Sequence, residues 1–147
     1  MAVKAKPDGY HTLTPYLVVN GAAGLIDFLK GAFEAEEVIR MDAPQGRIDH
    51  AELRIGDSLV MLADAPAARS PTEAMLHVYV EDVDATYQCA LAAGGMAEQA
   101  PTDQFYGDRT GGVRDPCGNL WWIATHIEDV PPAELKRRAQ EAMQKAG

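Results

Sequence analysis

The sequence predicts an α+β protein made of two β-α-β-β-β units, followed by a helix at the C-terminus. Three observations support this prediction. Apolar segments typical of strands occur in the same order twice, with one helical pattern after the first strand of each set. The two sets align at offsets of 60 or 61 residues, and an offset of 61 pairs Leu17 with Val78. A chain of 147 residues is also long enough to bury a common core.

The first unit contains a helical pattern of apolar residues that ends at Phe33, set among four strand-like segments. The predicted strands are 12–19, 38–41, 48–55 and 58–63. The last two are joined by a hairpin turn at Gly56-Asp57. His50, Glu52 and Arg54 alternate with apolar residues, so the three polar side chains share one face of their strand.

The second unit follows a Pro-containing linker over 64–73 and repeats the same order. Asp82 is suited to cap the N-terminus of its helix, and Gly94-Gly95 is suited to end it. The predicted strands are 75–80, a weak segment near 96–99, 109–114 and 120–125. Each unit therefore supplies one curved mixed sheet with its own helix, and the two concave faces are expected to enclose a shared cavity.

These patterns divide the chain into a first module over 10–66, a second module over 72–128 and a helical tail over 131–147. The tail carries a net charge of +2, whereas residues 1–130 carry −11. Its narrow apolar stripe allows two arrangements. It is either a packed or loosely attached terminal helix, or a helix that reaches a second subunit.

The composition excludes several partners. The formal net charge of −9 argues against nucleic acid and anionic membranes, which both require a basic surface. Two cysteines cannot form a disulfide framework, and the chain has no long apolar run and no signal-peptide pattern at its start. We therefore expect a cytoplasmic protein whose ligand is a small molecule.

The segment Asp115-Pro116-Cys117-Gly118-Asn119-Leu120-Trp121-Trp122-Ile123-Ala124-Thr125-His126, in a duplicated unit of this kind, resembles the vicinal oxygen chelate superfamily. That superfamily includes glyoxalase I, bleomycin- and fosfomycin-resistance proteins and extradiol dioxygenases. Thr14-Pro15-Tyr16-Leu17 and the strand at His50 are similar to its PhnB-like branch. The resemblance implies the fold above and a homodimer, with the modules pairing within a chain or exchanged between chains.

In members of this superfamily that use a metal, each module supplies one ligand from its first strand and one from its last. The resemblance places these positions at Thr14, Leu62, Met75 and Trp122. None of them carries the imidazole, carboxylate or thiolate that such metals require. We therefore expect no metal and no cofactor.

The remaining candidates form a ligand-binding set on the expected cavity walls. The set consists of Tyr16, His50, Glu52, His77, Tyr79, Arg109 and Trp122. His77 and Tyr79 share one strand face, and Trp122 offers a flat apolar wall. Glu52 and His77 are the candidate catalytic groups, as general bases. The expected function is binding of a small, partly apolar molecule between the modules.

Three alternatives remain open from the sequence. The first is a metal-dependent lyase, isomerase or dioxygenase with a displaced divalent-metal site formed by His50, Glu52 and His77. In the second, His50 and Glu52 simply form a hydrogen-bonded or ion pair. The third concerns Arg109, which either holds an anionic group as a fork or pairs with Asp108 or Asp103. Cys117 is expected to be an inert thiol, Cys89 a core residue and His126 solvated.

Overall fold

A computed structural model describes residues 2–146 and contains two four-stranded mixed sheets and three α-helices. The elements of the first module are β1 (Tyr16–Val19), α1 (Ala22–Phe33), β2 (Glu36–Asp42), β3 (Ile48–Ile55) and β4 (Ser58–Asp64). Those of the second are β5 (Met75–Tyr79), α2 (Val83–Ala92), β6 (Met96–Asp103), β7 (Asp108–Arg114) and β8 (Leu120–His126). The chain ends with α3 (Pro132–Ala146). The predicted fold class is confirmed.

The two sheets have the same topology. Their strand orders are β1-β4-β3-β2 and β5-β8-β7-β6, and in each the first strand pairs in parallel with the last. Tyr16 lies opposite Met61 in the first sheet, and His77 lies opposite Trp122 in the second. The first strands and the last strands of the two modules are therefore both related by an offset of 61 residues.

One face of each sheet is covered by the helix of its own module. In the first module, Leu17, Ala51 and Leu62 lie in one cross-strand row on this face and are at most 2% exposed. They pack into the same core as the apolar side of α1. Burial of each such large aliphatic side chain stabilises the fold by about 1.5–3 kcal/mol. The opposite face of each sheet, here called the open face, carries the polar and aromatic residues.

The position of Leu62 corrects the sequence alignment of the last strands. The sequence alignment pairs Leu62 with Trp122 and predicts that it lines the cavity. In the structure Leu62 is fully buried on the helix-covered face. The counterpart of Trp122 is Met61, because Met61 shares its row with Tyr16. A shift of one residue along a strand moves every side chain to the other face.

The second helix begins and ends as predicted. The Asp82 side chain accepts a hydrogen bond from the Ala85 amide at 3.1 Å, and Gly94 adopts a φ of 103° just after the helix. Cys89, however, is exposed and not part of the core. Val83, Tyr87 and Ala90 define the buried side of α2, and Cys89 lies away from that side.

The two modules contact each other through their helices and share one core. Phe33 at the end of α1 lies 5.0 Å from Trp121 of β8, measured between ring centroids. The helices approach so closely that a Cβ on Gly31 would lie 2.9 Å from the Cβ of Ala93. The open faces carry exposed aromatic residues, with Tyr16 49% and Tyr79 62% exposed.

Helix α3 packs far less than the other two helices and has no buried residue among those described. Its attachment is polar, since Arg138 donates to both carboxylate oxygens of Glu128 and to the Phe105 carbonyl. Gly147, the end of the predicted tail, lies outside the described residues. Within residues 2–146, the longest apolar stretch of any helix falls short of what spanning a membrane requires.

Candidate ligand-binding site

The open face of the second sheet brings together His77, Tyr79 and Trp122, as the sequence predicted. The His77 and Tyr79 rings lie 5.0 Å apart between centroids on β5. Trp122 lies beside His77 on β8, and its ring covers Gly112 of β7, where a Cβ would come within 2.6 Å of the indole. The absence of a side chain at Gly112 thus allows the indole to lie flat on the sheet. The result is an aromatic surface open to solvent.

A buried carboxylate organises the polar part of this face. Asp108 is 4% exposed and accepts hydrogen bonds from the Tyr79 hydroxyl and from His126 Nδ1, both at 2.8 Å. His126 Nε2 lies 2.7 Å from Asp129. Burial raises the pKa of Asp108, but hydrogen bonds from His126 and Tyr79 outweigh it, so the pKa lies below its ordinary value. Asp108 is therefore ionised at neutral pH.

Its partners shift in the complementary direction. The hydrogen bond to Asp108, with burial, raises the pKa of Tyr79 above its ordinary value, so the phenol keeps its proton. The carboxylates of Asp129 and Asp108 raise the pKa of His126.

Thr110 lies on the same face two residues after Asp108, and its buried Oγ1 has no hydrogen-bond partner within residues 2–146.

The open face of the first sheet carries a separate polar cluster. The Tyr16 hydroxyl lies 3.0 Å from His50 Nδ1, and His50 Nε2 lies 2.7 Å from Glu52 Oε2. The predicted pairing of His50 with Glu52 is therefore present. Because the Glu52 carboxylate accepts from Nε2–H, Nδ1 of a neutral His50 is left to accept from Tyr16.

The two clusters do not share a cavity, and only part of each cluster lines one, since Trp122, Asp108, His50 and Glu52 border neither of the two cavities described next. A cleft of about 840 Å³ between the modules is lined by His77 and Tyr79 together with apolar residues such as Phe33 and Trp121. Tyr16 instead lines a depression of about 480 Å³ on the first sheet. Since the sheets meet through their helices, one chain does not bring all the predicted site residues into a single shared cavity.

Arg109 does not join the other predicted residues. It lies on the helix-covered side of β7 and donates to both carboxylate oxygens of Asp84 at 2.9 and 3.0 Å. A third hydrogen bond, of 3.0 Å, goes to Asp103. These contacts use its guanidinium fork within the protein, and of the two predicted carboxylate partners only Asp103 is used.

Sequence reasoning missed Asp108 and His126 as members of the site. For His126 it predicted only that the side chain is solvated. Asp108 lies directly opposite His126 in the β7–β8 register. The available signal was the strand period, because His126 lies four residues after Trp122 and hence on the same face. Asp108 gave little signal, since it precedes the predicted strand at Arg109.

The four positions that hold the metal in metal-using members of the family carry no suitable donor atoms in this chain. With Met61 in place of Leu62, the four positions hold a hydroxyl, two thioethers and an indole, from Thr14, Met61, Met75 and Trp122. These groups do not fit a divalent ion that binds imidazole, carboxylate or thiolate. Across residues 2–146 no group of three or more His, Cys, Asp or Glu side chains is arranged to hold a metal ion.

The displaced metal site would require groups from both sheets. His50 and Glu52 lie on β3, whereas His77 lies on β5 in the other module.

Cys117 offers no alternative chemistry. Burial, together with Asp115 and Asp64, raises its pKa to about 11, so the thiol stays protonated at neutral pH.

The fold and the open faces define a class of small α+β proteins with two βαβββ modules that each expose one face of a curved sheet. The comparison with known families agrees with this class. Residues 10–123 match the model of the Glyoxalase/Bleomycin resistance protein/Dioxygenase superfamily. The chain belongs to that superfamily.

Relatives of similar length occur in mycobacteria. The chain is 38% identical to the uncharacterised protein Mb0911c of Mycobacterium bovis, over 92% of this chain and 94% of that protein. It is also 38% identical to the uncharacterised protein Rv0887c of Mycobacterium tuberculosis, over 92% of this chain and 84% of the relative.

Two solved structures are similar in fold. TioX from Micromonospora sp. ML1 matches with a TM-score of 0.68 and 28% identity, over 80% of this chain and 99% of TioX. A glyoxalase/bleomycin resistance protein/dioxygenase family enzyme from Burkholderia phytofirmans PsJN matches with a TM-score of 0.65. At 19% identity, over 78% of this chain and 97% of that one, the second comparison concerns the fold alone.

Proposed function

We propose that this protein binds a small, partly apolar molecule on the open face of the second sheet, without a metal ion. The observation that carries the proposal is the aromatic surface of Trp122, His77 and Tyr79 beside the ionised Asp108. Apolar walls with a few fixed polar groups are typical of small-molecule sites. The unsuitable donor set at the family's metal positions supports a site without metal.

A homodimer would complete this site. β1 and β5 are edge strands, and they carry the exposed Tyr16, Met75 and Tyr79. Edge strands present unpaired backbone groups, and an exposed aromatic face of this kind favours association. A second copy could bring its Tyr16, His50 and Glu52 opposite His77 and Tyr79.

The acidic chain, with no disulfide among residues 2–146, fits the cytoplasm, and we place the protein in the PhnB-like branch on its sequence motifs.

A ligand screen by thermal unfolding tests the binding proposal. A ligand present at 100 times its dissociation constant stabilises the folded state by about 2.7 kcal/mol, which raises the melting temperature. The increase should disappear in Trp122→Ala and His77→Ala. It should remain in Cys89→Ala, which alters an exposed residue of α2 on the opposite side of the second sheet. A broad panel that produces no stabilisation would contradict the proposal.

A titration with Zn²⁺, Ni²⁺ and Mn²⁺ tests the absence of a metal, and we expect no stoichiometric binding. Sedimentation equilibrium tests the dimer separately, and we expect the mass of two chains. Stoichiometric binding that His77→Ala and Glu52→Ala both abolish would replace the proposal by the metal-dependent lyase, isomerase or dioxygenase. A monomer at high concentration would contradict the dimer alone.

A further inference from the structure

The direction of one hydrogen bond limits what the open face of the second sheet can recognise. The Tyr79 hydroxyl lies 2.8 Å from a carboxylate oxygen of Asp108, and an ionised carboxylate only accepts. The single proton of Tyr79 is therefore directed at Asp108. The lone pairs of the Tyr79 oxygen remain free toward solvent, because the residue is 62% exposed. Toward a ligand, this hydroxyl is an acceptor.

The surroundings of Asp108 maintain this direction. The second Asp108 oxygen already accepts from His126 Nδ1 at 2.8 Å, so the carboxylate has a partner on each oxygen. If the Tyr79 O–H turned away from Asp108, a nearly buried carboxylate oxygen would be left without a hydrogen-bond partner. Such a loss costs about 1–3 kcal/mol or more for a charged group.

The charges near this face also disfavour an anion. The carboxylates of Asp108 and Asp129 surround His126, so this group carries a net negative charge even when His126 is protonated. Arg109 points to the opposite side of β7 and is bound to Asp84 and Asp103, while Arg114, which shares the open face, is held by Glu73 and Glu98. The whole chain carries −9, which attracts cations over longer distances.

The aromatic rings of this face also suit a positively charged nitrogen. Trp122 and Tyr79 offer aromatic faces, which attract ammonium groups through the ring quadrupole. When His50 is neutral, Tyr16 donates to its Nδ1 and keeps its own lone pairs free, so the first-sheet cluster then has the same polarity.

We infer that the open face of the second sheet selects organic amines, binding a protonated nitrogen at the Tyr79 oxygen and the attached apolar group on Trp122. This inference rests on the proposed function and specifies its ligand class. It assigns Tyr79 as the acceptor, Asp108 as the residue that orients Tyr79, and Trp122 as the apolar wall.

Compounds that differ only in charge test the inference. Tryptamine, 3-ethylindole and indole-3-propionate share one ring system and present an ammonium group, no charge and a carboxylate. Binding is measured by titration calorimetry at pH 7 and low salt, and located by amide chemical shifts in NMR spectra. We expect tryptamine to bind most tightly and indole-3-propionate least, with the shifts centred on β5 and β8.

Tyr79→Phe separates the acceptor from the ring. It should weaken tryptamine binding about tenfold, as expected for loss of a hydrogen bond to a charged group, and leave 3-ethylindole unchanged. Tyr87→Phe is the matched control, because Tyr87 lies on the buried side of α2, across the second sheet from the open face. It should change neither affinity. Asp108→Asn should also reduce the preference for tryptamine, provided that circular dichroism shows a folded protein.

The outcomes distinguish the inference from the proposed function. If 3-ethylindole or indole-3-propionate binds this face as tightly as tryptamine, the amine selectivity is wrong and the binding face stands. An unchanged tryptamine affinity in Tyr79→Phe also overturns the acceptor role. If none of the three compounds binds up to millimolar concentration, the inference and the proposed aromatic face both fail.

Discussion

Asp64 and Thr125 occupy equivalent positions in the two modules and make the same connection. Asp64, at the end of β4, accepts from the Gly21 and Ala22 amides at the start of α1, at 2.8 and 3.0 Å. Thr125, near the end of β8, accepts from the Val83 amide at the start of α2, at 2.9 Å. In both modules the last strand thus satisfies the free N–H groups at the helix N-terminus.

Removing these side chains should destabilise the fold to different extents. Asp64 also accepts from the Ile48 amide at 2.8 Å, so Asp64→Ala leaves three backbone donors without their acceptor. We expect a loss of about 2–4 kcal/mol in the free energy of unfolding, against about 1 kcal/mol for Thr125→Ala. Urea denaturation of both variants measures the difference. An equal loss would show that the two additional backbone contacts of Asp64 contribute nothing.

Asp64 should also make the fold sensitive to acid. Burial raises its pKa, but the amides of Ala22, Ile48 and Gly21 outweigh this effect, and the folded pKa lies below the unfolded one. The stabilisation is therefore complete above the unfolded pKa of about 3.9 and is lost as the pH falls through the folded pKa. Asp64→Asn should weaken the pH dependence of stability below about pH 4. Asp57→Asn, in the exposed hairpin turn, should keep the native profile.

Gly112 should tolerate no side chain, because its surface is covered by the Trp122 indole. Gly112→Ala places a methyl group within 2.6 Å of that ring and should lower the free energy of unfolding by about 1–3 kcal/mol. Gly24→Ala is the control, since a Cβ there, inside α1, meets nothing within 4 Å. It should raise stability by about 0.5–1 kcal/mol. A neutral Gly112→Ala would mean that the indole is free to leave the sheet.

His126 should titrate above its ordinary value of about 6.5, because Asp129 and then Asp108 favour its protonated form. The stabilisation from these contacts is complete below the unfolded pKa and disappears as the pH rises through the folded pKa. Titration of the imidazole proton signals by NMR checks the direction. Asp129→Asn should lower the midpoint, whereas Asp103→Asn, which removes a carboxylate bound to Arg109, should not move it. A midpoint at or below 6.5 would contradict the network.

The two thiols should react at very different rates. Cys89 is exposed on α2, whereas Cys117 is partly buried, with a pKa of about 11, and its Sγ lies 3.3 Å from the Asn20 carbonyl oxygen. Since the thiolate is the reactive form, we expect one fast and one slow thiol with an aromatic disulfide reagent at pH 7.5. Cys89→Ser should remove the fast phase and Cys117→Ser the slow one. Loss of the fast phase in Cys117→Ser would reverse the assignment.

Strand periodicity and turn residues predicted most of the fold. The alternation over 48–55 gave the bounds of β3, and Asp82 and Gly94 marked the limits of α2 as observed. The alignment failed at Leu62 because the offset between modules changes along the chain. Glu52 pairs with Met61 nine residues later, whereas Gly112 pairs with Trp122 ten residues later. Sequence spacing alone does not reveal that extra residue.

The site was less predictable because its contacts cross strands. His77 and Tyr79 were placed on one face by the strand period, whereas Trp122, on another strand, was placed there from its equivalence to a metal position of the family. Arg109 was left with two alternatives because Gly111 and Gly112 give its strand no apolar period to orient it, and the structure shows the pairing with Asp103. The Asp108 network depends on the register between β7 and β8, which places Asp108 opposite His126. Such pairing is a property of the folded sheet.

The contact between Phe33 and Trp121 bears on how the duplicated halves depend on each other. A fragment that stops within the connection 65–74 would leave Phe33 and the inner side of α1 without their counterpart from β8. Neither fragment would keep a closed interior, so each should aggregate when produced alone. Produced together, the two fragments should recombine into the native assembly, and the intact chain should melt in a single cooperative transition.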